Sequence, residues 1–463
     1  MVDKLQRAAV NNCSQFTEIA EFVLSPNLSI PETALEFAST LLIDTVGVAA
    51  GAARLEAGQI ARDFAVDFQG AGQAKHAATL MFDGRKASLP GAAYAVATSV
   101  DNLDAHDGYN PSKGHIGCAA VPALFAFAEQ HPRLTGRQAL TSLTIAYEVA
   151  ARAATSLHAT VSDYHTSGAW NALGVAALGC RMQGCDPDRL RHALGIAEYH
   201  GPRSQMMREI ANPTMLHDGS GMGALVGVSA AILASRGFEG APAITAESSE
   251  VADHWRNLGN VWTIEKNYIK PYPICRWAHA AIDAVRKLAQ ENEFSVSDIR
   301  SVNVQTFNEA ACLFPGMPQT TSQAQYSLRF SVALMLHYGR IGPEHISGDG
   351  LINKTIEMFL AKIVIEDSAH HSSRFPASRC SDVTIELNDG RELYSGHIEA
   401  RGGPEAPMKI SEIEEKFLDL TSLTLEPSRA RSIWGMRDKL LNNDMLFSEL
   451  AALVSPPATN AGV

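Results

Sequence analysis

The first two thirds of the chain carry apolar residues at the three- and four-residue spacing of amphipathic helices. Leu35, Leu42 and Val46 form one such stripe. Ser29 and Glu32 precede it at the spacing of a capping box, which predicts that the helix begins there. Because similar stripes recur further along, we expect this part of the chain to be a succession of helices.

Two kinds of pattern predict the other helices of this part. A helix should begin at Asp186, because Pro187 stands at the first helical position and Leu194 continues the buried stripe. The segments 168–181 and 219–235 are crowded with Gly, Ala and Ser. Since small residues let helices approach closely, these two segments are predicted to be buried at the centre of a large bundle.

Near Lys270 the pattern changes to a mixture of helices and strands. Alternating apolar and polar residues predict the strands, and Asn388, Asp389 and Gly390 tolerate the positive φ of a tight hairpin turn. The predicted elements, in chain order, are a helix over 276–290, a strand over 302–306, a helix over 323–337, a strand over 362–366 and a hairpin of 383–387 with 392–394.

The end of the chain returns to helical patterning. Residues 401–407 are typical of a linker, and the amphipathic stretch 411–420 behind them predicts a helix that packs on the first domain. A length of 463 residues also favours two domains. The predicted fold is mainly α, with a large all-helical domain over residues 1–269 and 410–463 and an inserted smaller α+β domain over residues 270–409.

Composition and charge narrow the classes of partner. A net charge of −12 disfavours a general nucleic-acid binder, which needs a basic face, but an anionic small molecule needs only a few local cations. The N-terminal segment MVDKLQRAAVNNCSQF has no apolar signal core, and the apolar runs are too short or interrupted for a membrane span. Seven cysteines without paired spacing indicate reduced thiols. We expect a cytoplasmic protein that binds neither nucleic acid nor membranes.

The segment 101–120, DNLDAHDGYNPSKGHIGCAA, gathers titratable side chains in one polar loop between helices. Helices on both sides would hold such a loop rigidly, and acid–base catalysis needs titratable groups brought together in this way. The alternative is a solvated surface loop whose acids cap the next helix, and composition does not decide between the two. The candidate side chains are Asp101, Asp104, His106, Asp107, Tyr109, Lys113 and His115.

A second cluster, DYHTSG at 163–168, comes just before a small-residue helix. The N-terminus of a helix favours an anion, so a substrate carboxylate could bind there near His165. Ordinary capping by Thr166 or Ser167 explains the same residues and is the simpler interpretation.

The third cluster is KPYPICRWAH at 270–279, at the predicted domain junction. Two prolines stiffen this segment, and Arg276 is suited to a bidentate grip on a carboxylate. Domain junctions commonly form ligand clefts. The alternative is a hinge with ordinary surface charges, and we favour the functional interpretation.

Signs of a metal or an organic cofactor are weak. Residues 219–223 contain several glycines but lack the GxGxxG spacing and a preceding strand. There is no HExxH motif, and the adjacent His370 and His371 are exposed in character. The simplest expectation is a mechanism that uses neither a metal nor a cofactor.

Several motifs together resemble the MmgE/PrpD family. The resemblance implies a large all-helical domain with an inserted α+β domain, usually in a homodimer. Members include 2-methylcitrate dehydratase, cis-aconitate decarboxylase and iminodisuccinate epimerase, which break a C–H or C–C bond beside a carboxylate without a metal or an organic cofactor. The motifs are FASTLLIDTVGVAAGAA (37–53), the block 101–129, YHTSGAWNALGVAA (164–177), LRHALGIA (190–197) and KPYPICRWAHAAIDA (270–284).

Carried over by motif, the resemblance implies the catalytic residues. His115 and His165 would be the proton-transfer pair, because the pKa of an unperturbed histidine lies near working pH. Lys270 would stabilise the enediolate charge that develops after proton removal. The predicted catalytic residues are Asp101, Asp104, His106, His115, His165 and Lys270, and the predicted substrate-binding residues are Tyr109, Lys113, His217, Arg276 and Tyr326.

Two departures from the family pattern bear on the reaction. His217 stands where dehydratase and decarboxylase members tend to carry the lysine of a "TMxK" stretch. Phe330 stands where they tend to carry a tyrosine, and Tyr326, one helical turn earlier, need not reach the same place. Loss of a phenolic acid disfavours water elimination and protonation after decarboxylation.

These observations leave three hypotheses about function. The first is an epimerase that moves the α-proton of a dicarboxylate such as iminodisuccinate, because this reaction needs no acid for a leaving group. The second is a lyase that dehydrates a 2-methylcitrate-like acid or decarboxylates cis-aconitate. The third, which the crowded polar loop disfavours, is a non-catalytic protein that binds polycarboxylates.

Overall fold

The computed structural model describes residues 13–457, and the side chains from residue 15 onward. The predictions for the extreme N-terminus and for the tail after Pro457 lie outside the described residues. The longer helices are α1 (Cys13–Leu24), α2 (Glu32–Gly51), α3 (Glu56–Phe68), α4 (Leu89–Leu103), α5 (Gly117–Ala128), α6 (Gly136–Thr160), α7 (Gly168–Gln183), α8 (Pro187–His200), α9 (Ser220–Ser235), α10 (His279–Glu291), α11 (Leu328–Tyr338), α12 (Ile410–Thr421), α13 (Pro427–Trp434) and α14 (Phe447–Val454).

Shorter helices and the strands lie between these. The short helices are Met207–Ala211, Ile244–Glu247, Ala252–Trp255, Asn308–Ala311, Thr321–Gln325, Lys354–Leu360, Ala369–Ser372 and Met436–Lys439. The strands are β1 (Ala77–Thr79), β2 (Lys86–Ser88), β3 (Gly108–Tyr109), β4 (Asn267–Tyr268), β5 (Ile299–Thr306), β6 (Ile363–Asp367), β7 (Cys380–Leu387), β8 (Glu392–Tyr394) and β9 (Ile398–Glu399). The mainly α class is therefore confirmed.

The two small-residue segments form the predicted central helices, α7 and α9, which pack against each other along most of their length. At Gly227 a Cβ atom would lie only 2.6 Å from the Ala172 carbonyl oxygen and from Val175 Cβ. The helix backbones thus approach as closely as glycine allows. The start of α8 is also confirmed, because the Asp186 side chain accepts a hydrogen bond of 2.9 Å from the Arg189 backbone N–H.

The predicted capping box at Ser29 and Glu32 is wrong. Helix α2 begins at Glu32, preceded by an extended Pro31 with φ −56° and ψ 143°, and no side chain caps it. Ser29 therefore lies outside the helix, and Glu32 pairs with Arg137 of α6 instead. The stripe of Leu35, Leu42 and Val46 is nonetheless buried, as expected.

One helix among the described residues, Glu32–Arg54, is long and apolar enough to cross a membrane. Of its apolar window, 89% is buried inside the protein, which is what the core helix of a globular bundle also shows. Length and composition alone are weak evidence for a membrane span.

The strands after residue 298 form one sheet in the order β6-β5-β7-β8, with β9 paired to β7. The pair β5–β6 is parallel and the others are antiparallel. The predicted hairpin is confirmed, with Gly390 at φ 90° in its turn. Helix α10 covers the sheet at β7 and contacts α11, while α12 packs against α2 of the helical bundle.

The helix predicted over 323–337 is interrupted. A short helix, Thr321–Gln325, ends before Ser327, whose extended backbone and side chain cap the start of α11 at Phe330 N–H. The break leaves Tyr326 between two helices, and its buried side chain lies among the residues described next.

Candidate active site

A buried cavity lies where the 101–118 loop meets the segment around Lys270. Strand β3 of the loop pairs with β4, with Gly108 opposite Tyr268. The loop, the turn at Tyr164 and the segment 270–277 all contribute to the cavity wall. The three clusters singled out in the sequence therefore meet at one place. The cavity measures about 30 Å³, which is room for about two water molecules, so its walls must move apart before a small acid can enter.

Charged side chains dominate this cavity. The cations are Lys113, Lys270, Arg276 and Arg379, and the carboxylates are Asp104 and Asp218. When all six groups are ionised, the wall carries two more positive than negative charges. Such a wall is suited to an anion with two or more negative charges.

Lys270 and Asp104 form a buried ion pair in the wall. Asp104 ends α4 in the left-handed region at φ 55°, which turns both its carbonyl oxygen and its carboxylate toward the Lys270 ammonium. Burial raises the pKa of Asp104 to about 6, although Lys270 opposes the rise. Burial alone would lower the pKa of Lys270, but Asp104 raises it above its ordinary value. Both groups are therefore charged at neutral pH.

His115 is a neutral base that faces the cavity. Its Nδ1 lies 2.7 Å from the Asp107 carbonyl oxygen, which can only accept, so Nδ1 carries the proton and Nε2 keeps its lone pair. Burial, with a contribution from Lys270, lowers the pKa of His115 to about 4. Nε2 lies 3.7 Å from Asp218 Oδ2. Gly108 permits this placement, because a Cβ there would collide with the Tyr268 hydroxyl and lie 2.9 Å from His115 Nδ1.

Asp107, which orients His115 through its backbone, provides a test by pH. Burial raises the pKa of its carboxyl from 3.8 to about 7, while a hydrogen bond from Tyr147 opposes the rise. Between these values the folded protein holds a proton that the unfolded chain has released, so stability falls as pH rises, by about 1.4 kcal/mol per pH unit. We expect Asp107→Asn to remove this slope in urea unfolding measured from pH 4.5 to 7. Parallel pH dependences of wild type and variant would contradict the assignment.

Asp218 and Ser167 fix the position of His115. Ser167 Oγ accepts a hydrogen bond of 3.0 Å from the His115 backbone N–H and donates one of 2.6 Å to Asp218 Oδ1. The Trp170 indole donates to the His115 carbonyl oxygen at 3.2 Å. No sequence motif singles out Asp218, although it directly follows His217 and precedes a glycine turn.

Three phenols complete the polar wall: Tyr164, Tyr268 and Tyr326. Tyr164 donates a hydrogen bond to the Lys113 carbonyl oxygen. Burial raises the pKa of all three, so each remains a neutral donor. Tyr326 reaches the cavity because the chain breaks between two helices at this point.

Comparison with known proteins identifies the family of this chain. Residues 17–257 match the MmgE/PrpD N-terminal domain, and residues 272–441 match the MmgE/PrpD C-terminal domain. The chain belongs to the MmgE/PrpD family. It is also similar to the cis-aconitate decarboxylase of Aspergillus terreus, with 22% identity over 90% of each chain.

Two residues that the MmgE/PrpD resemblance or the loop suggested do not line the cavity. His165 is buried but turned aside, with Nδ1 donating to the Asp163 carbonyl oxygen at 2.9 Å and its ring 6.4 Å from that of His158. Tyr109 follows Gly108 in β3, and successive side chains of a strand point to opposite faces. Since position 108 faces His115, Tyr109 points away, toward Glu148 and Arg152.

Three others lie behind the wall. The His106 ring packs edge-on against His115 at 4.4 Å, and its Nε2 lies 3.7 Å from Asp101 Oδ1. Asp101 accepts a hydrogen bond from the Ser220 backbone N–H, and burial raises its pKa well above the usual range. The His217 ring lies 5.7 Å from the Tyr326 ring, and its Nε2 lies 3.5 Å from Ser322 Oγ. These side chains can act on a substrate only through the residues in front of them.

Arg276 lines the cavity but is already engaged. Its two terminal nitrogens donate to the carbonyl oxygens of Arg401 and Ala400, and its guanidinium lies 4.3 Å from the centre of the Tyr268 ring. Because both terminal nitrogens are engaged, Arg276 is not free to bind a substrate carboxylate in the bidentate way expected from the sequence. The charge remains available to a carboxylate, together with Nε, which has no partner among the described residues.

Three groups in the described part of the chain bring possible metal ligands within 4.8 Å of one another: Asp104–His106–His115, Asp101–His106–Cys118 and His370–His371–His397. In the first group, the Lys270 ammonium already binds Oδ1 of the Asp104 carboxylate and supplies a positive charge there. In the third, His371 is fully buried rather than exposed, because its Nε2 binds Asp382 at 2.7 Å. The metal-free mechanism stays a prediction.

A much larger groove, of about 1710 Å³, lies beside α1. Neither histidine nor lysine lines it within the described residues, and its acidic side chains outnumber its two arginines, Arg191 and Arg256. Such a surface offers no imidazole or amine and its surplus of acidic side chains repels anions, so it is not the candidate site for an anionic substrate.

Proposed function

We propose that this protein is an acid–base enzyme that transfers a proton at a carbon beside a carboxylate of a small di- or tricarboxylate. One observation carries the proposal: a neutral imidazole, His115, presents a lone pair to a cavity whose wall has two surplus positive charges. A base at this place can take a proton from an anion that the cations hold.

The proposed steps follow from the positions of the side chains around the cavity. Lys270 and Arg276 hold the carboxylate beside the reacting carbon, and His115 Nε2 removes the proton from that carbon. The electron pair of the broken C–H bond moves into the carboxylate and forms an enediolate, whose added negative charge lies against Lys270. The proton then returns to carbon, or a leaving group departs. No step needs an oxidant or reductant.

Epimerisation of an iminodisuccinate-like dicarboxylate is the first candidate reaction. It requires only that a proton return to the opposite face of the same carbon. His165, expected to be the second base, lies outside the cavity wall, so the phenols of Tyr164, Tyr268 and Tyr326 are better placed to return it. The histidine at position 217 in place of the family lysine supports a reaction other than the commonest one in the family.

A lyase reaction is the second candidate. It is supported by the similarity to a cis-aconitate decarboxylase and by Tyr326, a neutral phenol in the wall that could protonate a leaving group or a carbanion. Epimerisation and dehydration share proton removal by His115, whereas decarboxylation would form the carbanion by loss of CO2 and then need a donor such as Tyr326 to protonate it.

Proton exchange in D2O tests the proposal and separates its branches. The purified protein is incubated with an iminodisuccinate-like acid, a citrate-type acid or cis-aconitate, and the α-proton is followed by NMR. We expect loss of that signal. Exchange with racemisation and no alkene supports the epimerase, and an alkene or released CO2 supports the lyase. Saturable binding without exchange, a new alkene or released CO2 for any of these acids overturns the catalytic proposal and favours a binding protein.

The proposal includes the architecture implied by the family. Strands β5 to β9 all lie between residues 299 and 399, and α12 packs on α2. Both observations support an α+β domain, 270–409, inserted in a helical domain formed by 1–269 and 410–463. The homodimer implied by the resemblance stays a prediction.

A further inference from the structure

We propose that Arg379 binds a second carboxylate of the substrate, distant from the carboxylate at Lys270, and so restricts the site to acids with at least two carboxylates. This inference rests on the proposed function and names the residue that selects the substrate class. No sequence motif surrounds Arg379, which directly precedes β7.

The surroundings of Arg379 hold its guanidinium in place. Its side chain is only 7% exposed and forms part of the same cavity wall as Lys270 and His115. Nη1 donates to the Pro376 carbonyl oxygen at 2.7 Å, and the guanidinium lies 5.6 Å from the centre of the Phe375 ring. A cation fixed in this way binds an anion without first losing side-chain freedom.

Arg379 lacks the partner that a buried cation normally has. Within residues 13–457 no carboxylate forms an ion pair with it, and its buried Nε has no hydrogen-bond partner. The other buried cations of the wall have more acceptors: Lys270 binds Asp104, and Arg276 donates to two backbone carbonyls although its Nε is also without a partner, whereas Arg379 donates to one carbonyl. A buried charge without a partner is costly, and a ligand carboxylate would supply both the charge and the acceptor.

The two cations also come from separate parts of the chain. Lys270 follows β4, whereas Arg379 belongs to the sheet unit, and both reach one cavity. A substrate with carboxylates at both ends would therefore contact both parts at once. An acid with a single carboxylate, held at Lys270, would leave Arg379 without an anion.

The test measures binding separately from turnover. Succinate and its monomethyl ester are titrated into wild type, Arg379→Gln and Arg379→Lys by calorimetry. A charge-assisted pair in a buried site is worth about a factor of 10 to 100 in affinity. We expect Arg379→Gln to weaken succinate binding by this factor, to leave monoester binding within about threefold, and Arg379→Lys to fall between. Arg374→Gln, an exposed arginine five residues earlier, is the matched control and should change neither.

Kinetics then separate this inference from the proposed function. Relative to wild type, Arg379→Gln should raise KM for the reacting dicarboxylate by about the factor by which it weakens succinate binding, and should change kcat less. Equal weakening of diacid and monoester, or unchanged succinate binding, overturns the role of Arg379 even if wild type catalyses exchange. Absence of exchange in wild type, together with the selective loss of succinate binding, overturns the catalysis but leaves the carboxylate site intact.

Discussion

Lys270→Ala is expected to lower the rate of α-proton exchange by about a thousandfold, the largest catalytic effect that we predict. The Lys270 ammonium is buried beside His115, where it would face the negative charge that forms on the substrate. Removing one fixed electrostatic donor from such a site costs about 10²- to 10³-fold in rate, and Lys270 carries a full charge. The rate is measured by deuterium incorporation under saturating substrate.

The fold should survive this change because Asp104 can take up a proton. Its pKa is about 6 while Lys270 opposes the effect of burial, and without that ammonium it rises further, so the carboxyl becomes neutral at pH 7. A neutral acid avoids the cost of an unpaired buried charge. Lys270→Arg tests whether charge alone suffices, and exposed Lys266→Ala is the control. Turnover of Lys270→Ala within a few-fold of wild type would remove Lys270 from the mechanism.

Lys416→Met is expected to lower the free energy of unfolding by about 3 to 5 kcal/mol, the largest effect on stability that we predict. Lys416, on α12, donates to both carboxylate oxygens of Asp44 at 2.7 and 2.8 Å, and to the Ala105 carbonyl oxygen at 2.8 Å. All of these groups are buried. If Asp44 takes up a proton, as expected of Asp104 in Lys270→Ala, the variant still loses the three buried hydrogen bonds of the Lys416 ammonium, one of them to a loop carbonyl. Urea unfolding measures the change in the free energy of unfolding.

A double substitution distinguishes the ion pair from the loop contact. Asp44→Leu combined with Lys416→Met removes both charges, so much of the stability should return. Exchange activity should be low in Lys416→Met and in the double variant alike, because in both the Ala105 carbonyl next to Asp104 lacks its donor. Lys409→Met, at an exposed position just before α12, is the control. Single variants within 1 kcal/mol of wild type, or full activity in the double variant, would contradict this interpretation.

The sequence predicted those parts of the site that depend on neighbours along the chain. Asp104 and His115 lie in one polar loop, and Lys270 lies in a motif of its own, so local patterns were sufficient to single them out. The small-residue helices α7 and α9 were equally clear, because their composition states how closely they pack. The break at Ser327 was missed, since one serine between two apolar stretches hardly disturbs a helical pattern.

The residues that the sequence did not identify are placed by contacts between distant segments. Arg379 stands among ordinary polar residues, and only the position of β7 brings it to the cavity. Asp218 binds Ser167, 51 residues earlier. Tyr109 was included because it lies between candidate residues, yet strand alternation turns it to the other face. Proximity in the sequence therefore wrongly included Tyr109 in the site and did not indicate Arg379 or Asp218.

The closed cavity has a consequence for how the protein admits a ligand. Lys113, Arg276 and Arg379 surround a space of about 30 Å³, and in the absence of an anion their like charges repel one another. This repulsion favours separation of the walls, and an arriving dianion cancels it and draws them together. An uncharged diamide of the same shape would leave the repulsion in place, so under the proposed function we expect it to bind more weakly than the diacid.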